Sequence, residues 1–197
     1  MKTIAHMNAK EAKASLRRRI LAARDDLPLS TRRAASRRIA ERVMALPSFA
    51  AAQKILLFYP FGSEWDASIV VMEALRLNKI VALPRIAQSE KTLILHIVQD
   101  IDRDTMSGVF GIREPLPDLP RLTPEELDWL LAPGLAFSPQ GDRLGYGAGY
   151  FDRLLTRVSP ETPRIAGAFE MQIMPSLPQE THDIRVNMVI TENNLDK

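Results

Sequence analysis

The segment GDRLGYGAGYFDRLL, Gly141–Leu155, concentrates residue types that can bind phosphate. The alternating glycines of GYGAG (Gly145–Gly149) free the backbone, so that N–H groups can turn inward around an anion. Arg143 adds a fork of donors, and Asp152 offers a carboxylate that can hold Mg²⁺ beside phosphate oxygens. The spacing matches neither the Walker A loop nor the dinucleotide fingerprint. These residue types favour a phosphate or nucleotide site over a glycine-rich turn without a ligand.

A loop of this kind needs a strand before it and a helix after it. The apolar run WLLAPGLAF, Trp129–Phe137, predicts the strand and its exit. The segment GYFDRLL predicts the start of a helix whose inner face carries Leu154, Leu155 and Val158. Because ligands collect beyond the carboxyl ends of strands in open α/β sheets, the glycine loop is expected to lie at such an end.

The rest of the chain alternates short apolar runs with helical segments. This pattern predicts an α/β fold with a mostly parallel sheet. Pro115–Pro124 predicts a long loop, and no repeat or linker divides the chain. We expect a single domain of residues 1–197, with N-terminal basic helices at about 9–46 and the sheet and glycine loop at 54–191. The further predicted strands are Lys54–Pro60, Lys79–Pro84, Leu93–Val98, Arg164–Glu170 and Asn187–Thr191.

Apolar residues at steps of three and four predict the helices. The first helix is expected from about Ala9 to Leu27, and the second from Ser30 as N-cap to Pro47. Asp66 is the expected N-cap of a third helix.

Composition excludes several classes of protein. The 197 residues include no cysteine, which rules out disulfides, thiolate metal sites and a cysteine nucleophile. The three histidines do not cluster, and no Ser-His-Asp arrangement is apparent. No apolar run approaches the length of a membrane span, and the N-terminus has no signal-type apolar region. We therefore expect a cytoplasmic protein.

Positive charge is concentrated near the N-terminus. The net charge is +2, but Lys10–Arg42 holds eleven Lys and Arg against four Asp and Glu, a local charge of +7. Most of these side chains are expected to coat solvent-exposed helix faces. One alternative is a nucleic-acid-binding protein, although the aromatic residues lie elsewhere. A second is another ATP-using or sugar-phosphate enzyme on a similar scaffold.

The glycine segment also belongs to a longer resemblance. PGLAFSPQGDRLGYGAGYFDRLL, from Pro133, resembles the signature of the 5-formyltetrahydrofolate cyclo-ligase family, also called 5,10-methenyltetrahydrofolate synthetase. Supporting elements occur in the expected order along the chain: KASLR (Lys13–Arg17), YPFGSEWDA (Tyr59–Ala67), LPR (Leu83–Arg85), FGIREP (Phe110–Pro115) and HD (His182–Asp183).

The resemblance implies a fold and a reaction. The fold is a three-layer α/β/α sandwich with a mostly parallel open sheet. The reaction converts 5-formyltetrahydrofolate to 5,10-methenyltetrahydrofolate, with ATP as co-substrate and Mg²⁺ as cofactor, and releases ADP and phosphate. We expect a monomer that binds folate and ATP and neither nucleic acid nor membrane.

The resemblance also assigns residues. Lys13, Arg17 and Arg143 are the implied catalytic cations, and the first two lie four residues apart on one predicted helix face. The implied ATP-binding residues are Lys13, Arg17, Arg143, Leu144, Gly145, Tyr146, Gly147, Ala148, Gly149, Tyr150 and Phe151. The implied folate-binding residues are Phe61, Glu64, Asp66, Tyr146, Gly147, Ala148, Gly149 and Tyr150. The implied metal ligands are Asp152 and Asp183.

Four positions depart from the family pattern. Ala148 stands where Gly or Lys is frequent, and Phe151 lacks the hydroxyl of the usual Tyr. Asn187 replaces a second Asp, so the metal assignment rests on Asp152 and Asp183 alone. Trp65 is bulkier than the usual aliphatic residue and is expected to reshape the folate entrance.

Overall fold

The computed structural model describes residues 9–108, 111–180 and 183–193. The helices are α1 Ala9–Asp25, α2 Leu29–Met44, α3 Pro47–Ala51, α4 Ser68–Arg76, α5 Ile101–Asp104 and α6 Tyr150–Leu155. The strands are β1 Lys54–Leu56, β2 Ile80–Ala87, β3 Thr92–Val98, β4 Thr105–Ser107, β5 Arg113–Pro115, β6 Arg121–Leu122, β7 Trp129–Leu131, β8 Ala136–Phe137, β9 Arg143–Leu144, β10 Arg164–Gly167 and β11 Met188–Ile190. Short 3₁₀ turns lie at Pro124–Glu126 and Glu170–Gln172.

Within the described residues, seven strands form the central sheet, in the order β11-β10-β7-β1-β2-β3-β6. The five strands from β11 to β2 pair in parallel, whereas β3 and β6 are antiparallel to their neighbours. The predicted mostly parallel sheet is confirmed. Strands β8 and β9 form a separate hairpin that leads directly into the glycine loop.

Successive strand residues enter different core clusters, which is the signature of a sheet covered on both faces. In β1, Ile55 belongs to a cluster with Ile39 of α2 and Val70 of α4. The next residue, Leu56, belongs to a cluster with Leu154 of α6. Helices therefore cover both faces, and the predicted three-layer α/β/α arrangement is confirmed.

Helix α1 has its own apolar contact. Ile20 is buried in a small cluster with Ala136 and Leu144, one from each strand of the β8–β9 hairpin. This packing fixes α1 beside the glycine loop that follows Leu144. Among the residues that the structure describes, no helix is long and apolar enough to cross a membrane.

Several predicted boundaries are wrong for local reasons. Ser30 is not an N-cap, because α2 already begins at Leu29 and Pro28 takes the cap position with a φ of −56°. The N-cap of α4 is Ala67, although the Asp66 carboxylate accepts a hydrogen bond from the Ser68 amide nitrogen at 3.2 Å.

Strand lengths also differ from the sequence prediction. Strand β1 ends at Leu56, well before Pro60, and β2 continues past Pro84 to Ala87 because it pairs along its length with β3. The predicted loop Pro115–Pro124 contains the two-residue strand β6, which pairs with β3 at the sheet edge.

Candidate active site

A cavity of about 500 Å³ opens at the carboxyl ends of the parallel strands. The chain after β1 supplies Phe58 and Tyr59 to its wall, and Pro133 follows β7. This is the position that an open α/β sheet gives to a ligand. The predicted site residues that line it are Lys13, Arg17, Phe61, Glu64, Arg143, Leu144, Gly145, Tyr146, Gly147, Ala148, Gly149, Tyr150, Phe151, Asp152 and Asp183.

The glycine loop holds an arginine of α1 against its backbone. The Arg17 Nε donates to the Gly145 carbonyl oxygen at 2.9 Å. Gly147 has a φ of +104°, and a Cβ atom there would lie 3.1 Å from the Arg17 Cζ. Only glycine combines that backbone conformation with so close an approach. The glycines of this loop therefore bring a cation and the backbone together.

Arg143 lies beneath the loop. Its side chain is 2% exposed, and its Nη2 donates to the Asp152 Oδ1 at 2.5 Å. Its Nη1 donates to the Pro133 carbonyl oxygen at 3.1 Å, and its Cζ lies 5.8 Å from the centroid of the Phe151 ring. Its Nε has no hydrogen-bond partner within the described part of the chain. The guanidinium is thus held rigidly with donor capacity left over.

Lys13 of α1 meets a pair of carboxylates from the C-terminal part of the chain. Its Nζ lies 2.5 Å from the Asp183 Oδ2 and 2.8 Å from the Glu180 Oε2. Burial opposes the charge of the ammonium group, but the hydrogen bonds and charges of Asp183 and Glu180 outweigh it and raise the Lys13 pKa. Lys13 is therefore a protonated cation at neutral pH.

The site thus pairs each of two predicted phosphate cations with a predicted metal carboxylate. Lys13 pairs with Asp183, and Arg143 pairs with Asp152. No group of three metal-binding side chains occurs in residues 9–108, 111–180 and 183–193. Carboxylate oxygens suit Mg²⁺, which commonly takes one or two protein carboxylates together with substrate phosphates. The donor set therefore fits Mg²⁺ held jointly with a phosphorylated ligand.

The opposite end of the cavity is aromatic and acidic. The rings of Phe61 and Tyr146 lie 5.2 Å apart at a tilt of 43°. The Tyr146 hydroxyl donates to the Glu64 Oε1, while the Glu64 Oε2 accepts from the Phe61 amide nitrogen at 3.1 Å. Burial raises the pKa of Glu64, and these hydrogen bonds and the charge of Arg24 work against that shift. Burial and the neighbouring Glu64 charge also raise the Tyr146 pKa.

Other sequence predictions fall outside the cavity. Asp66 does not line it, because its exposed carboxylate turns back to Ser68. Trp65 does not shape the entrance: it is 3% exposed and packs edge-on against Phe58 in the core. Asn187 accepts from the Arg164 amide nitrogen at 2.8 Å and joins two strands. His182 and Phe110 lie outside the described residues.

Sequence reasoning missed Arg24 and Glu180. Arg24 lies seven residues after Arg17 and eleven after Lys13, so helical periodicity puts all three on one narrow face of α1. That spacing was a usable signal. Glu180 carried no local signal, because its role depends on a contact with Lys13, 167 residues away in sequence.

The fold and cavity define an α/β protein with a ligand site at its strand ends, lined by both cationic and acidic side chains. The family model described as the 5-formyltetrahydrofolate cyclo-ligase family matches residues 9–192. The 5-formyltetrahydrofolate cyclo-ligase of Mycolicibacterium smegmatis is 31% identical over 140 residues, covering 70% of this chain and 72% of the relative. The 5-formyltetrahydrofolate cyclo-ligase of Escherichia coli K12 is 28% identical over 158 residues, covering 79% of this chain and 87% of the relative.

Solved structures give the same result. The NMR structure of 5,10-methenyltetrahydrofolate synthetase from Aquifex aeolicus superposes with a TM-score of 0.82 and 34% identity, covering 92% of this chain and 90% of that one. The chain belongs to the 5-formyltetrahydrofolate cyclo-ligase family, a family of ATP-dependent ligases. The resemblance stated from the sequence, and the expectation of an enzyme of this class, are confirmed.

Proposed function

We propose that the protein converts 5-formyltetrahydrofolate to 5,10-methenyltetrahydrofolate and turns ATP, with Mg²⁺, into ADP and phosphate. The observation that carries this proposal is the glycine loop, where Lys13, Arg17 and Arg143 line one cavity with the backbone of Gly145–Gly149. Such a concentration of donors suits a triphosphate. The identity of the second substrate, a folate, is proposed from the family to which the chain belongs.

The reaction can be written with its bonds balanced. The formyl oxygen attacks the γ-phosphorus of ATP, a new P–O bond forms, and the bond to the β,γ-bridging oxygen breaks to release ADP. N10 then attacks the formyl carbon, the C–O bond breaks, phosphate leaves with the electron pair, and N10 loses its proton. Neither step needs a protein nucleophile, because alignment and charge stabilisation lower the barrier to phosphoryl transfer.

The cations serve this chemistry directly. Lys13, Arg17 and Arg143 offer three positive charges to the phosphates and to the charge that develops during transfer. Arg17 is held by the Gly145 carbonyl oxygen and Arg143 by the Pro133 carbonyl oxygen, so both guanidinium groups are oriented before ATP enters. The helix that follows the loop, α6, has only six residues, so its dipole is weak. The positive charge offered to the phosphates therefore comes mainly from the side chains.

The two ion pairs fit a change of partners on binding. As phosphates take Lys13 and Arg143, their carboxylate partners Asp183 and Asp152 become available as oxygen ligands. Asp152 and Asp183 are the residues that would hold Mg²⁺, which supplies charge neutralisation to the phosphates. In this scheme, the cations and the carboxylates all keep a counter-charge before and after ATP binds.

The aromatic end suits the folate. Phe61 and Tyr146 present ring surface, and Glu64 presents a carboxylate beside it. The ring nitrogens of a reduced pterin can donate hydrogen bonds, and a carboxylate accepts them. The predicted folate contacts of Phe61, Glu64 and Tyr146–Tyr150 thus line a common cavity, whereas a contact from Asp66 stays a prediction.

The test is a direct assay of the conjugated product. Purified protein is mixed with 5-formyltetrahydrofolate, MgCl₂ and ATP, and the near-ultraviolet absorbance of the methenyl product is followed against an ATP-free control. An ATP-dependent rise is expected. Absence of a rise, from folded protein that binds ATP, would remove the folate assignment and leave the phosphate loop standing.

A further inference from the structure

Arg24, in the last turn of α1, is buried to an extent unusual for arginine. It is 1% exposed and is among the largest fully buried side chains of the described residues. It does not line the cavity. A guanidinium group out of contact with water needs hydrogen-bond partners to offset its lost hydration. The partners of Arg24 therefore indicate what the side chain does.

Those partners belong to the two segments that supply the walls of the aromatic end of the cavity, the 61–64 turn and the glycine loop. The Arg24 Nε donates to the Ser63 Oγ at 3.0 Å, and the Nη2 donates to the Tyr146 hydroxyl oxygen at 3.1 Å. The same hydroxyl donates to Glu64. Ser63 in turn donates to the carboxylate of Asp25, the neighbour of Arg24 on α1. One arginine thus joins α1, the 61–64 turn and the glycine loop.

A general helix effect does not account for this geometry. A basic side chain in the last turn of a helix is stabilised by the helix dipole, but that interaction requires neither burial nor a specific partner. Arg18, on the same helix, is exposed and shows how a solvent-facing arginine of α1 behaves. Arg24 differs because its planar fork reaches two different segments at once.

We infer that Arg24 is a positioning residue for the folate end of the site, acting through the Tyr146 hydroxyl and Glu64. This inference rests on the proposed function. The hydroxyl accepts from Arg24 and donates to Glu64, so its proton and its ring are fixed from two sides. The Tyr146 ring, 39% exposed, can then serve as a pre-oriented wall opposite Phe61.

Two further contacts agree with this role. The Arg24 Cζ lies 6.0 Å from the centroid of the Tyr146 ring, so the guanidinium also faces that ring. The charge of Arg24 also acts on Glu64: burial raises the pKa of that carboxyl group, and the hydrogen bonds from Tyr146 and Phe61 together with the Arg24 charge oppose the rise.

The test is a double-mutant cycle between Arg24→Met and Tyr146→Phe, with KM for 5-formyltetrahydrofolate measured at saturating ATP. Loss of a charged hydrogen bond predicts that Arg24→Met raises this KM about tenfold, while KM for ATP changes less than about twofold. Tyr146→Phe is expected to act similarly. The double variant should be no worse than the more severe single variant, because both remove the same contact.

Arg24→Lys keeps the charge but cannot span Ser63 and Tyr146 together, so an intermediate KM is expected. Arg18→Met is the matched control on α1 and should leave both KM values unchanged. Multiplying effects in the double variant, or an equal rise in KM for ATP, would overturn the inference. If Arg24→Met does not fold, the cycle of Arg24→Lys with Tyr146→Phe makes the same comparison.

Hydrogen exchange in the ligand-free protein separates this inference from the proposed function. Arg24→Met should speed amide exchange in the 61–64 and 145–150 segments, and Arg18→Met should not. Unchanged exchange in both segments would refute the positioning role even in an active enzyme. A wild-type protein that fails to convert 5-formyltetrahydrofolate would refute the proposed function, and the exchange result would still decide whether Arg24 positions the two walls.

Discussion

Replacing Gly147 with alanine tests whether the backbone of the glycine loop is shaped for ATP. The residue has a φ of +104°, which is unfavourable for a side chain bearing a Cβ atom. A left-handed backbone costs an L-residue about 1–2 kcal/mol. The new Cβ would also lie 3.1 Å from the Arg17 Cζ and 3.3 Å from its Nε, so the arginine would have to move by a few tenths of an ångström.

The strained loop is expected to relax away from its present conformation, and ATP binding would have to restore it. At about 1.4 kcal/mol per factor of ten, a cost of 1–2 kcal/mol predicts a rise in KM for ATP of about 5- to 30-fold. The assay is the initial rate of methenyl product formation against ATP concentration, at saturating folate. KM for folate is expected to change less.

Gly62→Ala is the matched control for this experiment. Gly62 has a φ of +60°, but a Cβ there would meet no heavy atom within 4 Å. It therefore introduces backbone strain without displacing Arg17. A fall in Tm of about 2–8 °C is expected for either variant, with the rise in KM for ATP confined to Gly147→Ala. A Gly147→Ala enzyme with lowered Tm and wild-type KM for ATP would refute the reasoning.

Three further predictions concern the charged groups. Arg143→Ala should raise KM for ATP, because it removes a buried donor and leaves Asp152 unpaired; an unchanged KM would exclude this arginine from phosphate binding. Asp152→Asn should lower turnover and weaken the response to Mg²⁺ concentration, and a wild-type magnesium titration would contradict its role as a ligand. Lys13 has a pKa raised above its unfolded value by Asp183 and Glu180, so its stabilising contribution is complete below about pH 10.4 and is lost as the pH rises through the folded-state value. The urea midpoint of the wild type should therefore fall more steeply than that of Lys13→Met above pH 10, and parallel curves would disprove the linkage.

The α/β class and the buried strands were readable from local sequence patterns, whereas the three-layer arrangement was implied by the family resemblance. Continuous apolar runs such as Lys54–Leu56 predict strands buried on both faces, and Ile55 and Leu56 do enter different clusters. Strand direction is not encoded in this way. Strand β3 has the same apolar character as its neighbours, yet it runs antiparallel because only a short turn separates it from β2.

Site residues that belong to a sequence motif could be predicted. Site residues that are placed by contacts between distant parts of the chain could not. The glycine loop and Lys13–Arg17 were found as motifs, and the structure lines one cavity with both. Asp66 belongs to a matching motif as well, but its carboxylate forms a local turn with Ser68. Composition alone could not separate Arg24 from the other basic residues of 10–42; its helical spacing from Lys13 and Arg17 was the usable signal, and the structure adds its burial.

Part of the positive charge near the N-terminus is directed into the fold by α1. Lys13, Arg17 and Arg24 share one helix face, which meets the carboxylates Glu180 and Asp183, the glycine loop and the 61–64 turn. The partners of Lys13 are acidic residues from the C-terminal part of the chain, so the charge of α1 is partly neutralised within the fold. The high positive charge that suggested nucleic acid is therefore accounted for in part by internal pairing. What distinguishes the three inward residues is their partners: under the proposed function, Lys13 and Arg17 would bind phosphate, and Arg24 would hold the two walls on which we expect the folate to rest.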